Sequence, residues 1–419
     1  MIHAILNGRL VSGDKIMEDC ALLFSNTIIG IVSRETLDAA WRNGKSWQGK
    51  ALTLTDACGH YVSPGFINLH IHGCAGADTM DAKEDTLTIM SRFLAQTGVT
   101  SFLPTTMTCD MPAIYKALGE IRNKMTVMTR RRNEKHGTAP DDTIMEEERV
   151  RLPGAKVLGA YLEGPFINSE YKGAQKKDFI IPADFSCIKD FADVIKVVAL
   201  APETLGQERL QAFLMRCKAR NIIVSLGHSA ATYDAAKEAV DAGASHVTHL
   251  CNAMTGLHHR TPGLLGAALD TDVTCELIAD DLHVHPAVQR IIYRNKGAAE
   301  LELITDSIRA CGLPDGVSEL GGQTVYVRNG EARLSDGTLA GSVATLNKAM
   351  AIFRKNTGAT VPETVRMVTE NQAQELGLFE KIGSMSPGAS ADITVFDEDF
   401  TIIRTFVDGR EVYKNPDFR

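Results

Sequence analysis

Residues 61–73 read YVSPGFINLHIHG, an apolar run around Pro64-Gly65 that ends in His70 and His72 with a single isoleucine between them. In an extended strand, side chains at i and i+2 share one face, about 7 Å apart along the chain. Two imidazoles on one face at a strand end can share a divalent metal, because neutral histidine is the commonest protein ligand. Taken alone, the stretch is equally well explained by two histidines hydrogen-bonded in a polar pocket. The weight comes from further along, where four more strand-like runs each end in a metal-competent or acid/base residue.

Those runs belong to a regular alternation. Strand-like segments occur at 61–72, 100–106, 156–165, 194–202, 222–229, 246–254, 275–284 and 301–306. Most of the gaps carry helical periodicity, as at 84–96, 208–219 and 233–242. Eight buried-looking strands separated mainly by helices predict an α/β fold, a (β/α)8 TIM-like barrel. The link from the sixth strand to the seventh, with Met254 to Arg260 followed by a Gly-rich turn, reads as a functional loop rather than a plain helix.

The two ends have a different texture. Residues 1–60 and 380–419 read as short strands and turns, with Asn7-Gly8, Ser12-Gly13 and Asp408-Gly409 as turn dipeptides. They predict a small β-sandwich domain formed by both termini, flanking a barrel over 61–379. Within the barrel, residues 128–153 carry Arg130, Arg131 and Arg132, then Glu146, Glu147 and Glu148, with little apolar pattern. This segment reads as an exposed, charged insertion after the second barrel unit.

Composition narrows the function. A chain of 419 residues is long for one core, which favours a large domain plus a smaller one. A formal net charge of -8 gives no electrostatic case for nucleic acid as the main partner, while leaving room for a local basic pocket that takes an anionic metabolite. No apolar run approaches the ~20 residues of a membrane helix, so no membrane partner is expected. Met1 to Ala4 lacks the zones of a signal peptide. Nine cysteines without a C-x-x-C motif point to reduced thiols and a cytoplasmic setting.

In a barrel of this kind the reactive groups sit where strand C-termini meet the following loops. The first strand ends in His70 and His72, the third in Glu163, the fifth in His228, the sixth in His249 and the eighth in Asp306. Singly, His228 and Asp306 can be caps and His249 a core histidine. Together they point to a metal site. Glu163, His228 and His249 form a His2Glu set that leaves coordination positions open, and Asp306 stands as the general base.

The motifs HIHG, YLEGPF, GHSAAT, THLCNAMTG, HHRTPG, IADDLHVHP, ITDS and LAGS follow one another in this order over nearly the whole chain. In this the sequence resembles the N-acetylhexosamine-6-phosphate deacetylases of the amidohydrolase superfamily. The resemblance implies Glu163, His228 and His249 as principal metal ligands and Asp306 as proton acceptor and donor. It also implies a divalent metal, zinc first, with iron, manganese or cobalt as alternatives. Since His70 and His72 are both present, two metals per chain are available. Asn252, Ala253, His283, Leu339, Ala340 and Gly341 match substrate-contacting positions, as do Ala174 and Gln175. Arg260 matches an arginine that binds the sugar phosphate across a homodimer interface. One position departs from the pattern: after Lys172-Gly173-Ala174 the family commonly has His, and Gln175 stands here, which can donate a hydrogen bond but cannot become cationic. The implied reaction is hydrolysis of the N-acetyl group of N-acetylglucosamine 6-phosphate to glucosamine 6-phosphate and acetate, in amino-sugar catabolism. The galactosamine epimer is the alternative substrate; a different amidohydrolase, or a non-catalytic scaffold of the same fold, stands further off.

Overall fold

The computed structural model describes residues 1–42, 44–134 and 154–418. Eight parallel strands form the barrel: Phe66–Ile71, Val99–Thr106, Ala160–Leu162, Ile195–Leu200, Ile223–Leu226, His246–Val247, Thr274–Ile278 and Leu301–Ile304. Each pairs in parallel with the next. The ring is nearly closed by an isolated bridge between Ile71 and Ser307 and by the Asp306 N–H, which donates to the His70 carbonyl at 2.9 Å. Strands covered on both faces read as near-continuous apolar runs, as VTSFLPTT and IKVVAL do.

The alternation of side chains sorts these runs into two cores. Phe66, Phe102, Val198, Leu200, Leu277 and Leu303 join helix residues such as Leu94 and Phe213 in the large outer core. Ile67, Leu69, Leu103, Tyr161, Val197 and Ala199 fill the interior and meet Ala373 and Ile382 from the chain that follows the last strand. The helix Glu370–Glu375 thereby closes the barrel floor.

The helices read from periodicity are present at Thr86–Gln96, Gln207–Lys218 and Tyr233–Asp241. Thr232 caps the last of these by accepting from the Ala235 N–H. The sixth strand is only two residues long; the rest of the predicted run, 248–254, is turns whose backbone serves the site. A loop through Arg260 then leads into the short helix Gly263–Asp270. Of the expected charged insertion, residues 128–134, with Arg130, Arg131 and Arg132, continue the helix Met111–Glu134, and residues 135–153 lie outside the described residues.

Two further sheets follow, one built from the N-terminal part alone and one from both termini. Ile28–Ser33, Cys20–Phe24, Ile2–Leu6, Lys50–Asp56 and Ser46–Trp47 make a five-stranded sheet. Arg410–Lys414, Ile402–Val407, Ile393–Phe396, Tyr61–Pro64, Arg9–Ser12 and Lys15–Met17 make a six-stranded one. Ile5, Leu22, Phe24, Val62, Val395 and Phe406 pack together between them. Asp408-Gly409 forms the hairpin turn that its sequence predicts, with φ of 48° and 74° and Val407 paired to Arg410. Asn7-Gly8 does something else: it passes the chain from one sheet to the other. Lys156, beside the third barrel strand, reaches across to the terminal sheet, where it is buried against Asp392, Asp408 and Ser390.

The stretch 61–73 is two strands rather than one. Tyr61–Pro64 pairs with Arg9–Ser12 and Ile393–Phe396 in the terminal sheet, and Phe66–Ile71 enters the barrel. Gly65 makes the hand-over. Its N–H donates to the Asp392 carbonyl at 2.8 Å, and a Cβ built on it would stand 2.2 Å from the Thr100 side chain. A further element, absent from the periodicity reading, follows the eighth strand: a three-stranded sheet of Gly316–Leu320, Gln323–Arg328 and Glu331–Arg333. It returns the chain over the barrel mouth, where the Ser342 N–H donates to the Asp306 carbonyl at 2.9 Å. Overpacking of a tight site costs about 1–3 kcal/mol, so Gly65→Ala is expected to destabilise by that amount, read as a lower denaturation midpoint; an unchanged midpoint contradicts the close approach.

Candidate metal centre and active site

The fifth, sixth and eighth strand ends each turn a polar side chain back over the barrel mouth. His228, His249 and Asp306 all have positive φ, at 47°, 26° and 46°. For residues other than glycine this backbone is uncommon, and it costs on the order of 1–3 kcal/mol per residue. Such strain persists where the surrounding structure over-determines it, and it clusters at functional sites. On the first strand a register shift opposite Phe102–Pro104 resets the alternation, so that Leu69 and His70 both face inward and His70-Ile71-His72 alternates from there. Ile71 packs into the outer core, and His70 and His72 look inward, with ring centroids 5.4 Å apart.

Glu163, immediately after the third strand, is the point on which these groups converge. Its Oε1 lies 3.2 Å from His228 Nε2, 3.1 Å from His249 Nε2 and 3.4 Å from His70 Nε2. Its Oε2 lies 3.2 Å from His72 Nε2. Asp306 Oδ1 completes the cluster, 3.1 Å from His72 Nε2 and 3.5 Å from His70 Nε2.

The tautomers show what this geometry suits. His228 Nδ1–H donates to the Tyr171 carbonyl at 2.9 Å, which leaves the Nε2 lone pair pointing at Glu163. His249 Nε2 stands only 3.2 Å from His228 Nε2. His70 Nδ1 faces Glu276 Oε2 at 2.9 Å, and its Nε2 is fully buried with no hydrogen-bond partner. Nitrogen lone pairs and carboxylate oxygens crowded together at low exposure repel one another unless positive charge lies between them. Separations of this size are those of neighbouring ligands around one ion with bonds of roughly 2.0–2.2 Å. The donors therefore fit a divalent cation as two triads that share one carboxylate: Glu163, His228, His249, and His70, His72, Glu163.

Electrostatics agree with that arrangement. Burial pushes the Glu163 carboxyl up, but positive charge on His70 and His228 and hydrogen bonds from His228 and His249 more than reverse it when the rings are protonated, holding it well below the usual range; with the rings neutral, a cation takes that place. Asp306 is raised by burial and lowered further by its contact with His72, ending below its ordinary value. Both carboxylates are thus ionised at neutral pH.

Above the cluster opens a cavity of about 320 Å3. His72, Glu163, His228, His249 and Asp306 form its floor, and Ala174, Gln175, Asn252, Ala253, His283, Leu339 and Gly341 line its walls. His70 lies behind the floor, fully buried. Ala340 turns away from the cavity and packs with Ile308, Leu320 and Val325. Arg260 is exposed on its loop, outside the lining, and donates to His259 Nε2 at 2.8 Å. Gln175 is locked from both ends: its Nε2–H donates to Glu163 Oε2 at 2.6 Å, and its Oε1 accepts from the Thr108 N–H at 2.7 Å. His283 Nδ1–H donates to Asp280 Oδ2 at 2.7 Å.

This constellation has counterparts. The profile of the amidohydrolase family matches residues 61–412. The chain belongs to the amidohydrolase family. It is 41% identical over 351 residues to an N-acetylglucosamine-6-phosphate deacetylase of Bacillus subtilis, covering 83% of each chain. It is 33% identical over 415 residues to an N-acetylgalactosamine-6-phosphate deacetylase of Escherichia coli O157:H7, covering 98% of this chain and 99% of the relative. Its structure resembles the crystal structure of N-acetylglucosamine-6-phosphate deacetylase from Pasteurella multocida, with a TM-score of 0.84, 30% identity, and coverage of 99% and 100% of the two chains. No helix among the described residues of this amidohydrolase is long and apolar enough to cross a membrane, and all nine cysteines are free.

Some of the site escaped the sequence reading. Glu276, fully buried on the seventh strand, accepts from His70 Nδ1–H and from the His249 N–H at 3.0 Å. A carboxylate in the middle of TCELI was the signal available, since a buried Glu requires a partner. The Tyr171 carbonyl that fixes the His228 tautomer is a backbone group and carries no signal in residue type. Thr338, Met107 and Leu320 reach the cavity through loops and the late three-stranded sheet.

Proposed function

We propose that this amidohydrolase removes the acetyl group of an N-acetylhexosamine 6-phosphate, with N-acetylglucosamine 6-phosphate as the first choice, giving the amino-sugar phosphate and acetate for amino-sugar catabolism. The observation that carries the reading is the floor of the cavity, where one carboxylate gathers four imidazoles with the ionised Asp306 beside them. The named relatives support the substrate class. The galactosamine epimer is the second reading, favoured by the near full-length match to a relative of that name.

Glu163, His228 and His249 hold the first divalent ion, and His70 and His72 with Glu163 hold a second; zinc is the first candidate, with iron, manganese or cobalt as alternatives. Such an ion supplies positive charge that acidifies water at neutral pH and polarises a carbonyl. The chain's own groups do the rest. Asp306 accepts the proton of the attacking water as the C–O bond forms, then delivers it to the sugar nitrogen as the C–N bond breaks. Gln175, tied to Glu163, holds that ligand in place and contributes no proton. Asn252, Ala253 and the Leu339 to Gly341 turn shape the wall against the sugar, and His283 is oriented toward it by Asp280.

The phosphate needs a cation, and among the described residues the cavity lining contains neither Arg nor Lys. Arg260, whose planar fork suits phosphate, lies exposed outside it. The reading that reconciles the two is a homodimer in which Arg260 of one copy enters the other's site. The setting is cytoplasmic.

Comparing kcat/KM on the two acetylated sugar phosphates tests the substrate. A higher value for the glucosamine epimer is expected; the reverse order moves the assignment to galactosamine, and inactivity on both overturns it. Asp306→Asn should keep metal and substrate yet lose about 10²–10⁴-fold in kcat, so near-wild-type turnover removes Asp306 from the reaction. His70→Asn/His72→Asn should lose one ion per chain from fully loaded protein and keep the other. Loss of all metal, or a wild type that never exceeds one ion under metal excess, rules out the two-ion site.

A further inference from the structure

Beneath the cavity floor, inside the barrel, lies a set of ionisable side chains that the reaction does not use. His246, Glu276 and Glu302 project inward from three consecutive strands, and all are fully buried. Glu375 reaches them from the helix that closes the floor. His246 Nδ1 lies 3.0 Å from Glu375 Oε1, and its Nε2 lies 3.4 Å from Glu276 Oε1. The other oxygen of Glu276 meets His70 Nδ1 at 2.9 Å. A line of contacts therefore runs from the barrel floor to the metal centre, hydrogen-bonded at both ends and joined in the middle by the His246–Glu276 ion pair: Glu375, His246, Glu276, His70.

Packing alone does not account for it. The rest of the same interior is filled by Ile67, Leu69, Leu103 and Val197, so apolar side chains serve there. Buried ionic groups seldom exceed well-packed apolar ones in stability, and here they are concentrated on three consecutive strands, with Glu276 in direct contact with His70. A third ion is also disfavoured, although His246, Glu302 and Glu375 could between them surround one. Each nitrogen of His246 already faces a different carboxylate, which leaves none to share with Glu302 at 4.0 Å. Burial lowers the His246 pKa, but the Glu375 charge and the Glu276 contact more than reverse it, so the ring is a cation that donates from Nδ1 to Glu375 and stands in ion-pair contact, short of a hydrogen bond, with Glu276. Glu302 has no hydrogen-bond partner on either oxygen. Burial and the nearby Glu375 charge push its carboxyl well above the usual range, which makes it a neutral acid.

We propose that His246 and Glu375 are positioning residues for the half-site of His70 and His72, acting through Glu276. Held from below by His246, Glu276 is fixed where it accepts the hydrogen bond of His70 Nδ1–H, which keeps the proton on Nδ1 and presents the Nε2 lone pair to the ion. Outer partners of this kind typically alter metal affinity by about 10–100-fold. The inference rests on the two-ion reading above.

The test is a titration of metal-free full-length protein with zinc against a chromophoric chelator, which reads two dissociation constants without turnover. The second ion is the one that His70→Asn/His72→Asn loses. His246→Phe, which fills the space and deletes both nitrogens, should weaken the second ion about 10–100-fold and leave the first unchanged. Glu375→Gln, which keeps an acceptor for His246, should lose less than Glu375→Leu. Glu302→Gln, isosteric with the neutral acid, should change neither constant. An unaffected second ion in His246→Phe overturns the inference, as does equal weakening of both ions or a matching loss in Glu302→Gln. Three ions in wild type and two in His246→Phe replace it with an interior metal site. If His246→Phe does not fold, Glu375→Leu carries the same comparison. A wild type that binds one ion removes the two-ion reading and this inference together; a wild type that binds two, with variants unchanged, removes this inference alone.

Discussion

The Glu163 carboxylate, buried at the barrel mouth within 3.1–3.4 Å of four imidazoles, is the constraint on which the site depends. An ionised carboxylate out of water is costly unless it is paired or coordinates a metal, and among the described residues Glu163 is met by imidazole nitrogens and the Gln175 amide. The four histidines must therefore arrive together, from the first, fifth and sixth strands, which requires a nearly closed barrel with each strand ending at the same height. The positive-φ turns at His228, His249 and Asp306 follow from this. A strand that ran on in extended conformation would carry these side chains past the centre.

The centre is in turn held by partners that belong to other parts of the chain. Tyr171 fixes the His228 tautomer, Glu276 that of His70, and Thr108 with Glu163 fixes both ends of the Gln175 amide. Gln175 is the position at which this chain departs from the pattern it resembles. Its role in the structure is mechanical: a neutral amide restrains a ligand where a histidine would bring a group able to change charge.

Much of this was legible in the sequence because period and residue type coincide at strand ends. His70-Ile71-His72 shows its meaning on inspection, since an apolar residue between two polar ones at period two fixes which face is which. Glu163 within YLEGPF was legible for the same reason that Glu276 should have been, a charge inside an apolar run. What stayed hidden depends on long-range pairing. Nothing local to Tyr61–Pro64 says that it joins strands from both termini while Phe66–Ile71 turns into the barrel. The sheet spanning 316–333 shows no helical or buried-strand period, because its residues alternate between exposed and covered over a cavity edge. In the tight turn Leu339-Ala340-Gly341 adjacent side chains diverge, so that Leu339 and Gly341 line the cavity while the Ala340 methyl packs underneath.

The hand-over at Gly65 bears on how such a protein can be divided. Consecutive residues on its two sides belong to different sheets, and the strand that carries His70 begins one residue after the terminal sheet ends. Lys156 ties the same two bodies together from the other side through Asp392 and Asp408. The terminal sheets are consequently not a detachable appendage. Excising residues 1–60 would strip Tyr61–Pro64 of its Arg9–Ser12 neighbour and loosen the root of the strand that delivers two metal ligands. Swapping this small domain between relatives would amount to re-registering the metal centre itself.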